Sequence, residues 1–136
     1  MIGYDGLTSY GSPAYWAQQM FSTHHGDLVL PIDAQAVPTR TLFFDATRDG
    51  QTGEIFLKIV NRAATPQPIR VELSGIANVD PKGQSIALTA ASPTDTNSIT
   101  EPTKIVPVTA PVDGLAKTFT RTFPPYSITL LTMKAK

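Results

Sequence analysis

The sequence predicts an all-β chain, an antiparallel β-sandwich of jelly-roll or Greek-key type with one N-terminal α-helix. Three observations carry that expectation. Residues Gly53–Asn61 make a long strand pattern, rich in β-branched and aromatic residues and bounded by turn residues. Twelve prolines and nine glycines in 136 residues cut the rest into short segments, which favours strands and turns over a helical bundle. Only the segment after Ser12 carries apolar residues at helical spacing.

Gly53–Asn61 puts Ile55, Leu57 and Ile59 on one face and Glu54, Phe56, Lys58 and Val60 on the other. Phe56 and Val60 make the second face half apolar, so both faces need cover and the strand is expected to be central. Earlier in the chain, Ile2–Tyr4 is a brief strand-like start. Ser12 reads as a helix N-cap with Pro13 at the first helical position, where a missing N–H costs nothing. Pro13, Trp16, Ala17, Met20, Phe21 and His24 form one apolar stripe, and Gly26 is the expected stop of a helix over 12–25.

Strands are then expected at Leu28–Ile32, closed by Pro38, and at Thr41–Thr47. The loop Arg48–Gly53 turns the second of these back into the central strand. Asn61–Pro68 reads as a turn, Ile69, Val71 and Leu73 as the apolar side of a strand, and Ser85–Ala90 as a weaker one. Ser92–Thr103 is the longest loop. Ile105–Thr109 is a strand that Pro107 confines to an edge or bulge. Lys117–Phe123 carries Phe119 and Phe123 on one face; Pro124-Pro125 ends it, and Ser127–Lys134 is the last strand.

A chain of this length is one domain by size, able to bury roughly 68% of its unfolded surface. Eleven basic and eleven acidic residues cancel, leaving no field to draw in nucleic acid or an anionic membrane. The absence of cysteine removes disulfide and thiol chemistry. No apolar run is long enough to span a bilayer, and no secretory leader pattern stands at the start.

Chemistry is hard to find. Sugar hydrolysis commonly needs two carboxyl groups, about 5–5.5 Å or about 6.5–9.5 Å apart. Glu54, Glu72 and Glu101 are the only glutamates, and they read as solvated surface carboxylates. No serine sits in a Gly-x-Ser-x-Gly elbow. His24-His25-Gly26-Asp27 resembles a metal site only loosely, because adjacent helical side chains diverge by about 100°. A histidine meeting the helix's terminal carbonyls is the preferred reading. Asp45 and Asp49 with the Arg48–Gly53 loop offer too few oxygens for calcium. Trp16, Tyr10 and Tyr15 could stack on sugar rings, with Trp16 more simply packing inward along the helix stripe. No catalytic, cofactor-binding or metal-binding residue is assigned.

One resemblance goes further. Ile2-Gly3-Tyr4-Asp5, then Tyr10-Gly11-Ser12-Pro13-Ala14-Tyr15-Trp16-Ala17-Gln18-Gln19-Met20-Phe21-Ser22 and Gly26-Asp27, resembles the end of the catalytic barrel in family 51 α-L-arabinofuranosidases, with Trp16 where tyrosine is more usual. Asn97-Ser98-Ile99, Pro102, Lys104-Ile105-Val106-Pro107 and Phe123-Pro124-Pro125-Tyr126-Ser127-Ile128-Thr129-Leu130-Leu131 resemble that family's C-terminal domain. The closing motif is shared by the C-terminal sandwiches of several barrel glycosidases; the helix motif is the more specific.

The resemblance implies a retaining glycosidase parent whose catalytic glutamates lie upstream, since none of Glu54, Glu72 and Glu101 matches their motifs. It implies that residues 1–27 are the end of the barrel, a strand remnant and helix, and that 28–136 are the C-terminal sandwich. That sandwich packs beside the barrel and borrows sequence from before it. The partners implied are the upstream barrel of the same polypeptide and, for the parent, an arabinose-containing polysaccharide such as arabinan or arabinoxylan. The helix stripe must cover the sandwich, form a homo-oligomer with a second copy, or stay exposed. A secreted parent is favoured over a cytoplasmic one. A carbohydrate-binding module and a standalone interaction sandwich are the alternative readings.

Overall fold

The computed structural model describes residues 1–34, 37 and 40–135. Its backbone is ten strands and one helix: β1 (Ile2–Tyr4), β2 (Ser9–Gly11), α1 (Pro13–Thr23), β3 (Leu28–Val29), β4 (Leu42–Arg48), β5 (Glu54–Asn61), β6 (Gln67–Glu72), β7 (Gly83–Thr89), β8 (Val108–Val112), β9 (Thr118–Phe123) and β10 (Ser127–Lys134). The main sheet runs in the order β3-β4-β5-β10-β7-β8, β6 and β9 pair as a second layer, and β1 and β2 make a separate hairpin. All pairings are antiparallel, which bears out the all-β sandwich with one N-terminal helix.

The central strand is where the sequence pattern placed it. β5 pairs with β4 on one side and β10 on the other, so Leu57 lies beside both Ala46 and Leu131. Its Ile55, Leu57 and Ile59 side faces the second layer and meets Leu131, Met133, Phe119 and Phe123 in the larger core cluster. Full burial of one such side chain contributes about 1.5–3 kcal/mol. The opposite side of the main sheet is covered by α1. Met20 packs with Ile86, Leu88, Ile105 and Leu130, with Trp16, Ala17 and Phe21 against them. The helix stripe therefore closes the sandwich's second face.

Lys58, on that second face, is buried rather than solvated. Its Nζ lies 3.2 Å from Asp45 Oδ2 and 5.2 Å from the centre of the Phe21 ring. Phe56 meets the His24 ring edge-on, centroids 6.5 Å apart. Of the two apolar side chains that the sequence left in need of cover, Phe56 is buried beneath the end of the helix, whereas Val60 is half-buried at the smaller groove.

Helix entry follows the expected chemistry: Ser12 is extended, and its Oγ accepts from the Tyr15 N–H at 3.2 Å. Helix exit does not. The last helical residue is Thr23 with His24 as the cap, two residues before Gly26. Thr23 Oγ1 donates to Gln19 O at 2.7 Å, and the His24 N–H donates to Met20 O, so side-chain and cap bonds end the helix without a glycine. Gly26 is small for another reason. Its N–H donates to Thr47 Oγ1, and a Cβ there would collide with the Arg48 backbone.

Other departures are local. Leu28–Ile32 forms strand only at Leu28–Val29, and Pro38 lies outside the described residues. β2 was not anticipated; it pairs with β1 so that Gly3 faces Tyr10. β6 begins at Gln67, so the turn after Asn61 is shorter than expected. The strand expected at 105–109 lies at 108–112. Ile105 is taken instead by Asn97, whose Oδ1 accepts the Ile105 N–H at 2.7 Å while its Nδ2 donates to the Ile105 carbonyl at 2.8 Å. β8 is nevertheless an edge of the sheet, as proline demands, and carries Pro111. Gly53 has φ +75, and its N–H bonds Asp49 O, closing the β4–β5 turn where an L side chain would be strained.

Phe56→Asp should lower the unfolding free energy by about 3–5 kcal/mol, because it places an uncompensated charge under α1. Urea denaturation measures it; an unchanged midpoint would mean that the helix does not cover this face.

Candidate functional site

The three glutamates do not converge. Glu54 opens β5 beside Lys134, half-buried. Glu72 closes β6 in the other layer, exposed and 3.7 Å from Arg70 Nη2. Glu101 lies exposed in the loop after β7, where its N–H bonds Ser98 Oγ.

The histidine cluster is also dispersed. His24 Nδ1 lies 3.1 Å from Met20 O at the helix end, and His25 is exposed. Asp27 Oδ1 accepts from the Gly50 N–H at 2.8 Å, tying the residue after the helix to the β4–β5 turn. Asp45 is engaged by Lys58. Asp49 Oδ1 accepts from the Thr52 and Gln51 N–H groups, which hold its carboxyl below the usual carboxylate range. Among the described residues no three His, Asp or Glu side chains gather as a metal site would require. Of the aromatic candidates, Trp16 packs on the smaller core cluster, and Tyr15 meets its ring at 73°, so the two rings share no flat platform.

Sequence reasoning missed two buried asparagines. Asn61 Nδ2 donates to the carbonyls of Thr65, Phe123 and Pro124, while its Oδ1 accepts the Ala63 N–H, joining the main sheet to the end of β9. Asn97 reaches Gly11 O at 2.8 Å as well as both backbone groups of Ile105, which fastens the start of α1 to the long loop. Neither leaves a periodic trace, since both act on backbone groups distant in sequence.

Two concavities stand out among the described residues. The larger, about 710 Å³, opens between the layers, from Leu30 and Ile32 on one side to Ile69 and Val71 on the other, floored by Phe44 and Leu57. It follows β6, whose single partner among the described residues is β9, so its other edge is unpaired. The smaller, about 560 Å³, lies where β5 and β7 end and β10 begins, beside Pro13. Asp95 on its rim is held below the usual carboxylate range, first by the Lys104 ammonium at 3.3 Å and then by the Ser92 and Ala91 N–H groups. Ile2, Tyr4 and Leu7 of the β1–β2 hairpin stand exposed, Leu7 at 96%.

A two-layer sandwich with a covering helix, separated carboxylates and an exposed apolar hairpin has the form of an accessory domain. The comparisons agree. Residues 1–127 match the family model described as the alpha-L-arabinofuranosidase C-terminal domain, and the chain belongs to that family. "Alpha-L-arabinofuranosidase 1" of Arabidopsis thaliana is 27% identical over 126 residues, covering 87% of this chain and 18% of its own length. An arabinose-bound family 51 α-L-arabinofuranosidase superposes with a TM-score of 0.90 at 31% identity, over 99% of this chain and 21% of that one. The arabinose complex of the α-L-arabinofuranosidase from Thermotoga maritima shares the fold, at a TM-score of 0.77 and 16% identity, over 96% and 30%. The chain thus spans about a fifth of the first two relatives. It is a C-terminal β-sandwich domain of the α-L-arabinofuranosidase type.

Asn97→Ala should cost about 3 kcal/mol, since the Ile105 and Gly11 backbone groups lose a buried partner; chemical denaturation reads it. Lys104→Met should raise the Asp95 carboxyl toward its ordinary value. At present that group's contribution to stability is full at neutral pH and is lost as the pH falls through its lowered pKa. A carboxyl-carbon NMR titration measures the shift, and an unmoved curve would remove Lys104 as the cause.

Proposed function

We propose that this sandwich supports the catalytic barrel of an α-L-arabinofuranosidase, a retaining enzyme acting on terminal arabinofuranosyl residues of arabinan or arabinoxylan. Residues 1–27 are then the end of that barrel and 28–136 the sandwich. The carrying observation is the placement of α1. Its stripe is spent on the sandwich, with Met20 2% exposed, so a helix belonging to the barrel is locked to the main sheet. The barrel and sandwich would share this helix and move as one body.

Two surfaces fit the same reading. The exposed hairpin residues Ile2, Tyr4 and Leu7 would find their cover in neighbouring barrel strands. The cleft beside β6 has the form left by a missing strand, with a free edge for backbone hydrogen bonds and an apolar floor for alternate side chains. Sequence from before the barrel in the parent polypeptide would occupy it.

The chain alone should release no p-nitrophenol from p-nitrophenyl α-L-arabinofuranoside, whereas a polypeptide carrying the barrel should. Turnover by the chain itself, unchanged on further purification, would overturn the supporting role.

A further inference from the structure

We propose that Asp113-Gly114, in the loop between β8 and β9, is a site of spontaneous isoaspartate formation. The altered chain is then a substrate for an isoaspartate-specific carboxyl methyltransferase. The proposal stands apart from the reading of α1 as the last barrel helix.

The chemistry needs only this chain and water. The Gly114 amide nitrogen attacks Cγ of the protonated Asp113 carboxyl, and the carboxyl hydroxyl leaves with the amide proton as water. The product is a succinimide ring. Water then opens that ring at one of its two carbonyls. Opening at Cγ restores aspartate, and opening at the main-chain carbonyl leaves the chain running through Cβ and Cγ. Mass is unchanged, and the backbone is longer by one methylene. Glycine favours the step because no Cβ shields its nitrogen.

Three Asp-Gly pairs occur in the chain: Asp5-Gly6, Asp49-Gly50 and Asp113-Gly114. The first two are disarmed in the same way. Each sits in an Asp-Gly-x-Thr run whose carboxylate accepts from the amides after the glycine. Asp5 Oδ1 takes the Leu7 and Thr8 N–H groups, both at 2.8 Å. Asp49 Oδ1 takes those of Gln51 and Thr52, also at 2.8 Å, and the Gly50 N–H donates to Asp27. These bonds hold both carboxyls below the usual carboxylate range, which depletes the protonated form that reacts.

Asp113 has no such tether. It is followed by Gly114-Leu115-Ala116, and the Leu115 N–H donates instead to Pro81 O at 3.0 Å. Both residues are exposed, and neither the Asp113 carboxylate nor the Gly114 N–H has a partner among the described residues. Gly114 has φ +76, and beyond its chain neighbours no heavy atom lies within 4 Å of where a Cβ would stand. The approach of nitrogen to Cγ is therefore open.

The flanks give the change a consequence. Val112 and Leu115, 2% and 4% exposed, both belong to the larger core cluster. Leu115 also packs so closely on Gly83 that a Cβ there would meet its Cδ1. An extra methylene between these two anchors would draw Leu115 away from Pro81.

The test is to age the folded 136-residue chain at neutral pH in water enriched in heavy oxygen, then digest it with trypsin in ordinary water. Each cycle of closure and opening exchanges a carboxyl oxygen. Asp113 is the only aspartate of peptide 105–117, and Asp49 the only one of peptide 49–58. Label should enter the first about tenfold faster or more, because reaction at Asp49 must first break hydrogen bonds to a charged group. Asp5, read by fragmentation of peptide 1–40, should rank with Asp49. The aged chain should also accept methyl groups from S-adenosylmethionine through the methyltransferase, and its Leu115 amide should exchange hydrogen faster. Asp113→Glu keeps the charge but enlarges the ring that must close, so it should abolish both changes with an unchanged melting temperature. In urea the three sites should label at similar rates. Peptide 105–117 without label, equal entry at Asp49 in the folded chain, a ranking that persists in urea, or methylation undiminished by Asp113→Glu would each overturn the proposal.

Discussion

Lys58 sits in the middle of the main sheet with its ammonium group under a helix, and much of the structure answers to that one placement. A buried charge is costly unless it is paired, and Asp45 on the adjacent strand supplies the pair at 3.2 Å. The Asp45 side chain is 53% exposed, so the pair keeps one end in water, and its net worth is modest. Phe21 lies over the same ammonium, so the helix meets a specific feature and not a uniform apolar floor. Register follows: Asp45 is opposite Lys58 only when Ala46 is opposite Leu57, and a one-residue slip would turn the carboxylate away.

The two sides of the main sheet are closed by different means. One has a two-stranded layer, β6 and β9, which leaves the cleft beside β6. The other has one helix and the loop anchored by Asn97. Buried asparagines hold both joints, Asn61 between the sheets and Asn97 between helix and loop, each with three or more hydrogen bonds to backbone. Such residues fix relative positions that apolar contacts alone leave adjustable.

The parts legible in the sequence were those that local chemistry decides. Gly53–Asn61 and Ser127–Lys134 carried complete strand patterns and became β5 and β10. Ser12-Pro13 named the helix start. What escaped was decided at a distance. Ile105 has good strand character, yet a side chain eight residues earlier takes its backbone groups and moves the strand past Pro107. Gly26 looked like a helix stop, but its size answers to the backbone of Arg48, far along the chain. That the second face of β5 needs cover was legible from Phe56 and Val60, but no strand pattern says that the helix end carrying Phe21 will lie on Lys58. The groove beside Tyr126 left no motif, because it is assembled from five separate segments.

β10 occupies the centre of the main sheet, between β5 and β7, although it follows every other strand in the chain. During synthesis, β4 with β5 and β7 with β8 leave the ribosome as two hairpins that no hydrogen-bonded ladder connects. Only when residues 127–134 emerge can the halves zip together, and only then does Met20 acquire Leu130 beneath it. Until that moment the helix stripe and both inner faces are open to wrong partners, the condition under which nascent chains recruit chaperones or aggregate. A ribosome that stalls before Ser127 would therefore release a chain with most of its strands and no sandwich.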